Sequence, residues 1–142
     1  MNTKKVLIAV DESGYSEKAA KAGFQLAQQL GASVAMTYII SPVYVMAGMS
    51  PGEIPIDTEA TQVESGKKLL SEYNKKYTLA NSAEVFVQVA SPAIGIMEVA
   101  EEWGADMIVI GKHGLESFKH IVFGGVVDEV AKHTKIPVVL IP

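Results

Sequence analysis

Short, continuously apolar runs alternate along the chain with longer stretches in which apolar residues recur at helical spacing, and this alternation predicts the elements. Val6 to Val10 is apolar throughout and ended by Asp11, the pattern of a strand buried on both faces. Ser13 or Ser16 can cap a following helix that reaches Leu30, where Gly31 stops it. Val34 to Ile40 is a second strand, closed by Ser41-Pro42. From Pro42 to Thr58 the chain carries three prolines, two glycines and no period. Such a long loop in a compact domain usually serves function, and a lid is the expected role.

Helical spacing resumes from Thr58 to about Tyr77, with Val63, Leu69, Leu70 and Tyr73 expected inside and Lys67, Lys68, Lys75 and Lys76 in solvent. Glu84 to Val89 begins with polar and apolar residues alternating, as in a half-exposed strand at a sheet edge. Ser91-Pro92 opens the next helix as cap and first-turn proline, with Ile94, Met97, Ala100 and Trp103 predicted on its buried face. Asp106 to Ile110 and Val138 to Ile141 are the last strands. Strands alternating with helices predict an α/β fold with a doubly wound parallel sheet, because parallel neighbours need crossovers. The last strand is apolar on both faces, and a bare apolar edge invites pairing, so a homodimer joined through Val138 to Ile141 is expected.

The candidate chemistry lies where a strand meets a helix. Gly111-x2-Gly114-x9-Gly124-Gly125 follows the apolar run from Met107 to Ile110 and leads into a predicted helix at Val126. Glycines so placed let backbone N–H groups approach a phosphate, and the helix N-terminus adds a favourable dipole. In an open α/β sheet the ligand crevice lies beyond the carboxyl ends of the strands where the winding reverses. If the first and fourth strands are neighbours there, Asp11 and Gly111 share that crevice. Asp11 could then accept from ribose hydroxyls while amides of Gly114, Gly124, Gly125 and Val126 take phosphates. On spacing alone the plainer reading stands beside it, with Asp11 a helix-capping acid and the glycines turn residues.

Composition narrows the alternatives. With 142 residues the chain suits one domain, spanning residues 1 to 142, and a net charge of −4 argues against nucleic acid as a partner. Absence of cysteine removes disulfides, thiol nucleophiles and thiolate metal sites. No apolar run approaches the roughly 18 residues of a membrane helix, and Val6 to Val10 is too short for a signal-peptide core, so no membrane association and a cytoplasmic location are expected. His113, His120 and His133 lack metal-ligand spacing. Gly48-Met49-Ser50-Pro51-Gly52 satisfies a hydrolase nucleophile pattern, with Asp128 and His133 available, but it sits in a proline-bearing loop rather than between strand and helix. Lys112, Lys119, His113 and His120 flank the glycine series as solvated residues or compensating charge, and Met46 and Met49 either pack beneath the long loop or cover a base.

Taken together, Val6-Leu7-Ile8-Ala9-Val10-Asp11-Glu12-Ser13, Gly104-Ala105-Asp106, the glycine series and Pro137-Val138-Val139-Leu140-Ile141-Pro142 resemble the universal stress protein family over essentially the whole chain. The resemblance implies an open five-stranded parallel sheet with helices on both faces, Rossmann-like and of the adenine nucleotide alpha hydrolase-like kind. It also implies a dimer through the last strand and an adenine nucleotide, ATP or ADP or AMP, with or without magnesium, serving a sensor or regulatory role. By motif position it puts Val10, Asp11, Ile39 and Ile110 on the adenine and ribose side, Gly111 beside the ribose, and Gly114, Gly124, Gly125 and Val126 at the phosphates. The ATP-binding branch carries Ser or Thr after the third glycine, where this chain has Gly125. A hydrogen bond to a charged group is worth about 1.5 to 3 kcal/mol, so the missing hydroxyl weakens binding roughly tenfold to a hundredfold. A nucleotide-free interaction protein acting through its dimer surface and a slow ATPase are the alternatives.

Overall fold

The apolar runs become five parallel strands in the computed structural model, which describes residues 2–42, 59–78, 82–112 and 125–142. In chain order the elements are β1 (Lys5–Val10), α1 (Gly14–Leu30), β2 (Ser33–Ile40), α2 (Glu59–Tyr77), β3 (Glu84–Val89), α3 (Pro92–Trp103), β4 (Met107–Gly111), α4 (Val126–His133) and β5 (Val138–Ile141). The strands stand in the order β3-β2-β1-β4-β5. From β1 the chain winds outward through β2 to β3, then returns to lay β4 on the other side of β1. The winding therefore reverses between β1 and β4, whose register pairs Leu7 with Ile108 and Ala9 with Ile110.

Because successive side chains of a strand point to opposite faces, each apolar run feeds two cores. Val6, Ile8, Val10, Met36, Tyr38 and Val109 pack under α1 and α2 against Phe24, Leu70 and Tyr73. Leu7, Ala9, Ala35, Ile108 and Ile110 pack on the other face against Ile96, Val99, Trp103 and the valines of α4. Removing each fully buried aliphatic side chain from water stabilises the fold by about 1.5 to 3 kcal/mol before conformational entropy is set against it. Strands sandwiched in this way have to be apolar on both faces, which is why β1 and β4 read as unbroken runs. The edge strands differ: β3 begins with exposed Glu84 and Val85, and β5 leaves Leu140 46% exposed.

Ser13 is the N-cap of α1, its hydroxyl accepting from the Ser16 N–H, and Gly31 ends the helix in the left-handed conformation at φ 65°. Ser91 stands at the cap position of α3 ahead of Pro92, but its hydroxyl makes no capping bond. The buried face of α3 corrects the expectation from spacing. Gly95, Ile96, Val99, Ala100 and Trp103 are buried, whereas Ile94 is 53% exposed and Met97 only half-buried. A strict three-residue repeat drifts off a face that turns every 3.6 residues, so Ile94 and Met97 end on the rim. There they line a cleft of about 740 Å³ between α3 and α4. Beneath α3, Thr37 is fully buried and its Oγ1 has no partner among the described residues.

The inward set predicted for α2 holds at Leu70 and Tyr73, with Val63 and Leu69 half-buried and the four lysines exposed. Glu17 ties α2 to α1, accepting from Lys76 Nζ and from the Tyr77 hydroxyl at 2.8 Å. Those hydrogen bonds hold the Glu17 carboxyl below its usual value. Burial, followed by the Glu17 charge, pushes the Tyr73 phenol up to about 12, so it stays neutral.

Candidate functional site

Asp11 leaves the end of β1 and enters the first turn of α1, and its surroundings fix it closely. Ser13 N–H donates to Asp11 Oδ1 at 2.7 Å, and Ser16 Oγ donates to the same oxygen at 2.7 Å. Ser16 Oγ in turn accepts from the Asp11 N–H at 2.8 Å. With Oδ1 doubly occupied, Oδ2 is the oxygen that no donor among the described residues reaches. Asp11 itself is half-buried, while Ser16 is 1% exposed.

Gly111 ends β4 on the far side of the switch point. A Cβ added there would lie 3.1 Å from the Tyr15 carbonyl oxygen, tighter than an ordinary contact, so a side chain at Gly111 would push the first turn of α1 back from β4 by a few tenths of an ångström. Close approach, not a left-handed backbone, is what the glycine supplies: among the described glycines only Gly31 and Gly104 have positive φ. The same approach brings the start of α1 to the end of β4. Asp11 and Gly111 therefore stand at one end of adjacent strands, as the sequence anticipated.

The third flank is the start of α4. A crossover helix between parallel strands runs against them, so its N-terminus lies at their carboxyl end. Val126 is 4% exposed and packs in the core that also holds Ala9 and Ile110. Gly125 is the N-cap at φ −49° and ψ 178°, with no side-chain capping bond, and its carbonyl accepts from Glu129 N–H at 3.1 Å. The amides of the first helical turn are the orphan donors from which an anion site is made. Asp128 pairs with Lys132 at 2.9 Å and thereby raises the lysine, and Glu129 lies 3.5 Å from His133.

Other anticipated positions contribute differently. Val10 and Ile110 are 1% and 0% exposed, so their side chains belong to the two cores and only their main chain borders the crevice. Ile39, half-buried near the end of β2, leans toward α3, where a Cβ on Gly95 would fall 2.9 Å from Ile39 Cδ1. Gly114 and Gly124 lie outside the described residues, as do His113, Lys119, His120, the methionines Met46 and Met49, and the run from Gly48 to Gly52. Two connections were not anticipated. Ser16, considered only as a helix cap, is the residue that grips Asp11, and the Tyr38 hydroxyl donates to Glu12 Oε1 at 2.9 Å. The Asp-x-Ser-x2-Ser spacing could have revealed the first, since it puts both serines within five residues of the carboxylate.

The whole chain, residues 2–142, matches the model of the universal stress protein family. The chain belongs to that family. Among its relatives, universal stress protein YxiE of Bacillus subtilis is 28% identical over 144 residues, covering 96% of this chain and 97% of its own length. A solved universal stress protein in complex with cAMP superposes with a TM-score of 0.76 at 23% identity, covering 100% of this chain and 99% of that one. The universal stress protein of Archaeoglobus fulgidus in complex with dAMP gives a TM-score of 0.63 at 24% identity, with both chains fully covered. These likenesses establish the stress-protein fold, a five-stranded parallel sheet flanked by helices. No helix among the described residues is long and apolar enough to cross a membrane.

Proposed function

We propose that this universal stress protein binds an adenine nucleotide, ATP or its mono- or diphosphate, and works as a regulatory module of the stress response in the cytoplasm. The observation that carries the reading is the juxtaposition of a pinned Asp11 carboxylate with Gly111 at the point where the sheet reverses its winding. A carboxylate with one uncommitted oxygen suits ribose hydroxyls, which are donors. The amides of Gly125 and Val126, at the positive end of α4, suit phosphate oxygens. Val10 and Ile39 border the base, with Ile110 beneath it, and Gly114 and Gly124 complete the phosphate loop by motif position. Two structural neighbours, solved in complex with cAMP and with dAMP, support the adenine nucleotide class. Magnesium, where present, neutralises phosphate charge.

The test is direct. Freshly purified protein is denatured and removed, and the supernatant is run on anion exchange beside AMP, ADP and ATP; titration of ATP and magnesium is followed by Trp103 fluorescence and thermal stability. Co-purified nucleotide or a saturable response is expected, and no response at millimolar nucleotide refutes the reading. The assembly proposed with it is a homodimer through β5, whose outer edge and half-exposed Leu140 favour pairing with a second copy. Leu140→Lys then yields monomers in sedimentation, and an unchanged dimer argues for another interface. A second reading, a nucleotide-free interaction protein using that dimer surface, is favoured by the bare N-cap at Gly125.

A further inference from the structure

We infer that Ser16 is a positioning residue that acts through Asp11 and makes this site prefer a ribonucleotide to its 2′-deoxy analogue. The inference rests on the proposed nucleotide binding and adds what selects the sugar. A serine hydroxyl has one proton to donate, and Ser16 gives it to Asp11 Oδ1 at 2.7 Å while accepting the Asp11 N–H at 2.8 Å. Both polar functions of a side chain only 1% exposed are thus committed to one neighbouring residue, its main chain and its carboxylate together. The Ser13 N–H closes the arrangement on the same Oδ1 at 2.7 Å. The carboxylate is consequently held in one rotamer before any ligand arrives, with Oδ2 left to accept from outside. A preorganised acceptor avoids the ordering cost that a freely rotating carboxylate incurs on binding. Of the two ribose hydroxyls able to donate to it, the 2′-hydroxyl, the one that a deoxynucleotide lacks, is the partner inferred.

Two serines allow the positioning role to be separated from helix capping. Ser13 reaches Asp11 by its backbone N–H, while its hydroxyl caps α1 by accepting from Ser16 N–H at 3.3 Å. Ser13→Ala therefore removes the cap and leaves the carboxylate contacts, whereas Ser16→Ala removes the grip on Asp11. Calorimetric titrations with ATP and 2′-deoxy-ATP are made on the wild type and on both variants. The wild type is expected to prefer ATP by about tenfold or more, the loss of one hydrogen bond to a charged acceptor. Ser16→Ala should weaken ATP about tenfold while shifting 2′-deoxy-ATP by less than about twofold, and Ser16→Thr, which retains the hydroxyl, should restore the preference. Ser13→Ala should lower the melting temperature and keep the preference. If Ser16→Ala does not fold, Ser16→Cys, similar in shape with a weak donor, is read in its place. Equal losses for both nucleotides in the Ser16 variant, or a wild type that binds both alike, overturn the inference while nucleotide binding stands; a wild type that binds neither overturns both.

Discussion

The two flanks of the crevice are built on opposite plans. On the β1 side, Asp11 is held by Ser13 and Ser16 at the start of a helix of 17 residues. On the β4 side, α4 is eight residues long, begins at a glycine with no side chain to cap it, and carries the Asp128–Lys132 ion pair within its own turns. One flank presents a fixed acceptor, and the other presents main-chain donors with no side-chain cap among the described residues. In the nucleotide reading proposed above, sugar recognition falls to the rigid flank and phosphate affinity to the bare one.

The strongest way to break the contrast is to spoil the rigid flank. Asp11→Asn keeps a carbonyl oxygen for the Ser13 N–H and the Ser16 hydroxyl, so the turn survives, but it turns an NH₂ toward the ribose where Oδ2 had been. Two donors then face each other. Affinity for ATP should fall tenfold to a hundredfold, about 1.5 to 3 kcal/mol, with little change in melting temperature. Calorimetry alongside thermal denaturation checks it, and a parallel loss of stability and binding would assign Asp11 to the fold alone.

Gly125→Ser tests the bare flank from the other side by supplying what it lacks. Serine and glycine differ by only a few tenths of a kcal/mol as N-caps, so the melting temperature should barely move. A hydroxyl beside the phosphates should nevertheless tighten ATP about tenfold. Unchanged affinity would show that the amides of α4 alone account for phosphate binding, and the two flanks would then be equally complete.

The contrast also marks what could be read from sequence. Unbroken apolar runs ended by Asp11 and by Gly111 were enough to give the buried strands, because a strand covered on both faces leaves no polar position within it; the meeting of these two residues was conditional on β1 and β4 being neighbours, which the strand order supplies. The face of α3 was legible only in part, since Ile94 and Ile96 are equally apolar and only the helix phase separates the exposed one from the buried one. Ser16 was harder still. A serine near a helix start looks like a cap, and its actual partner is set by how the chain turns between Asp11 and α1. Similarly, the Tyr38 bond to Glu12 joins residues 26 positions apart and depends on β1 and β2 pairing side by side.

The smallest expected effect concerns how the rigid flank is anchored. Glu17, one residue beyond Ser16, accepts from Lys76 and Tyr77 and so joins α1 to α2 across 59 positions and more, whereas the pairs of α4 stay within that helix. Its carboxyl is lowered from 4.5, first by the Lys76 hydrogen bond and then by that of Tyr77. A carboxyl lowered in the folded state adds stability that is complete above 4.5 and lost as the pH falls through the lowered value. Glu17→Gln should accordingly melt slightly below the wild type at neutral pH, and the gap should close in acid. With the Glu17 and Lys76 side chains 40% and 62% exposed, the gap should also shrink at high salt. Thermal melts across pH and salt measure both trends. Because the Asp11–Ser16 contacts close within the first turn of α1, this variant should leave the preference for ATP over 2′-deoxy-ATP intact; a change in that preference would mean that the rigid flank draws its rigidity from α2 and not from its own serines.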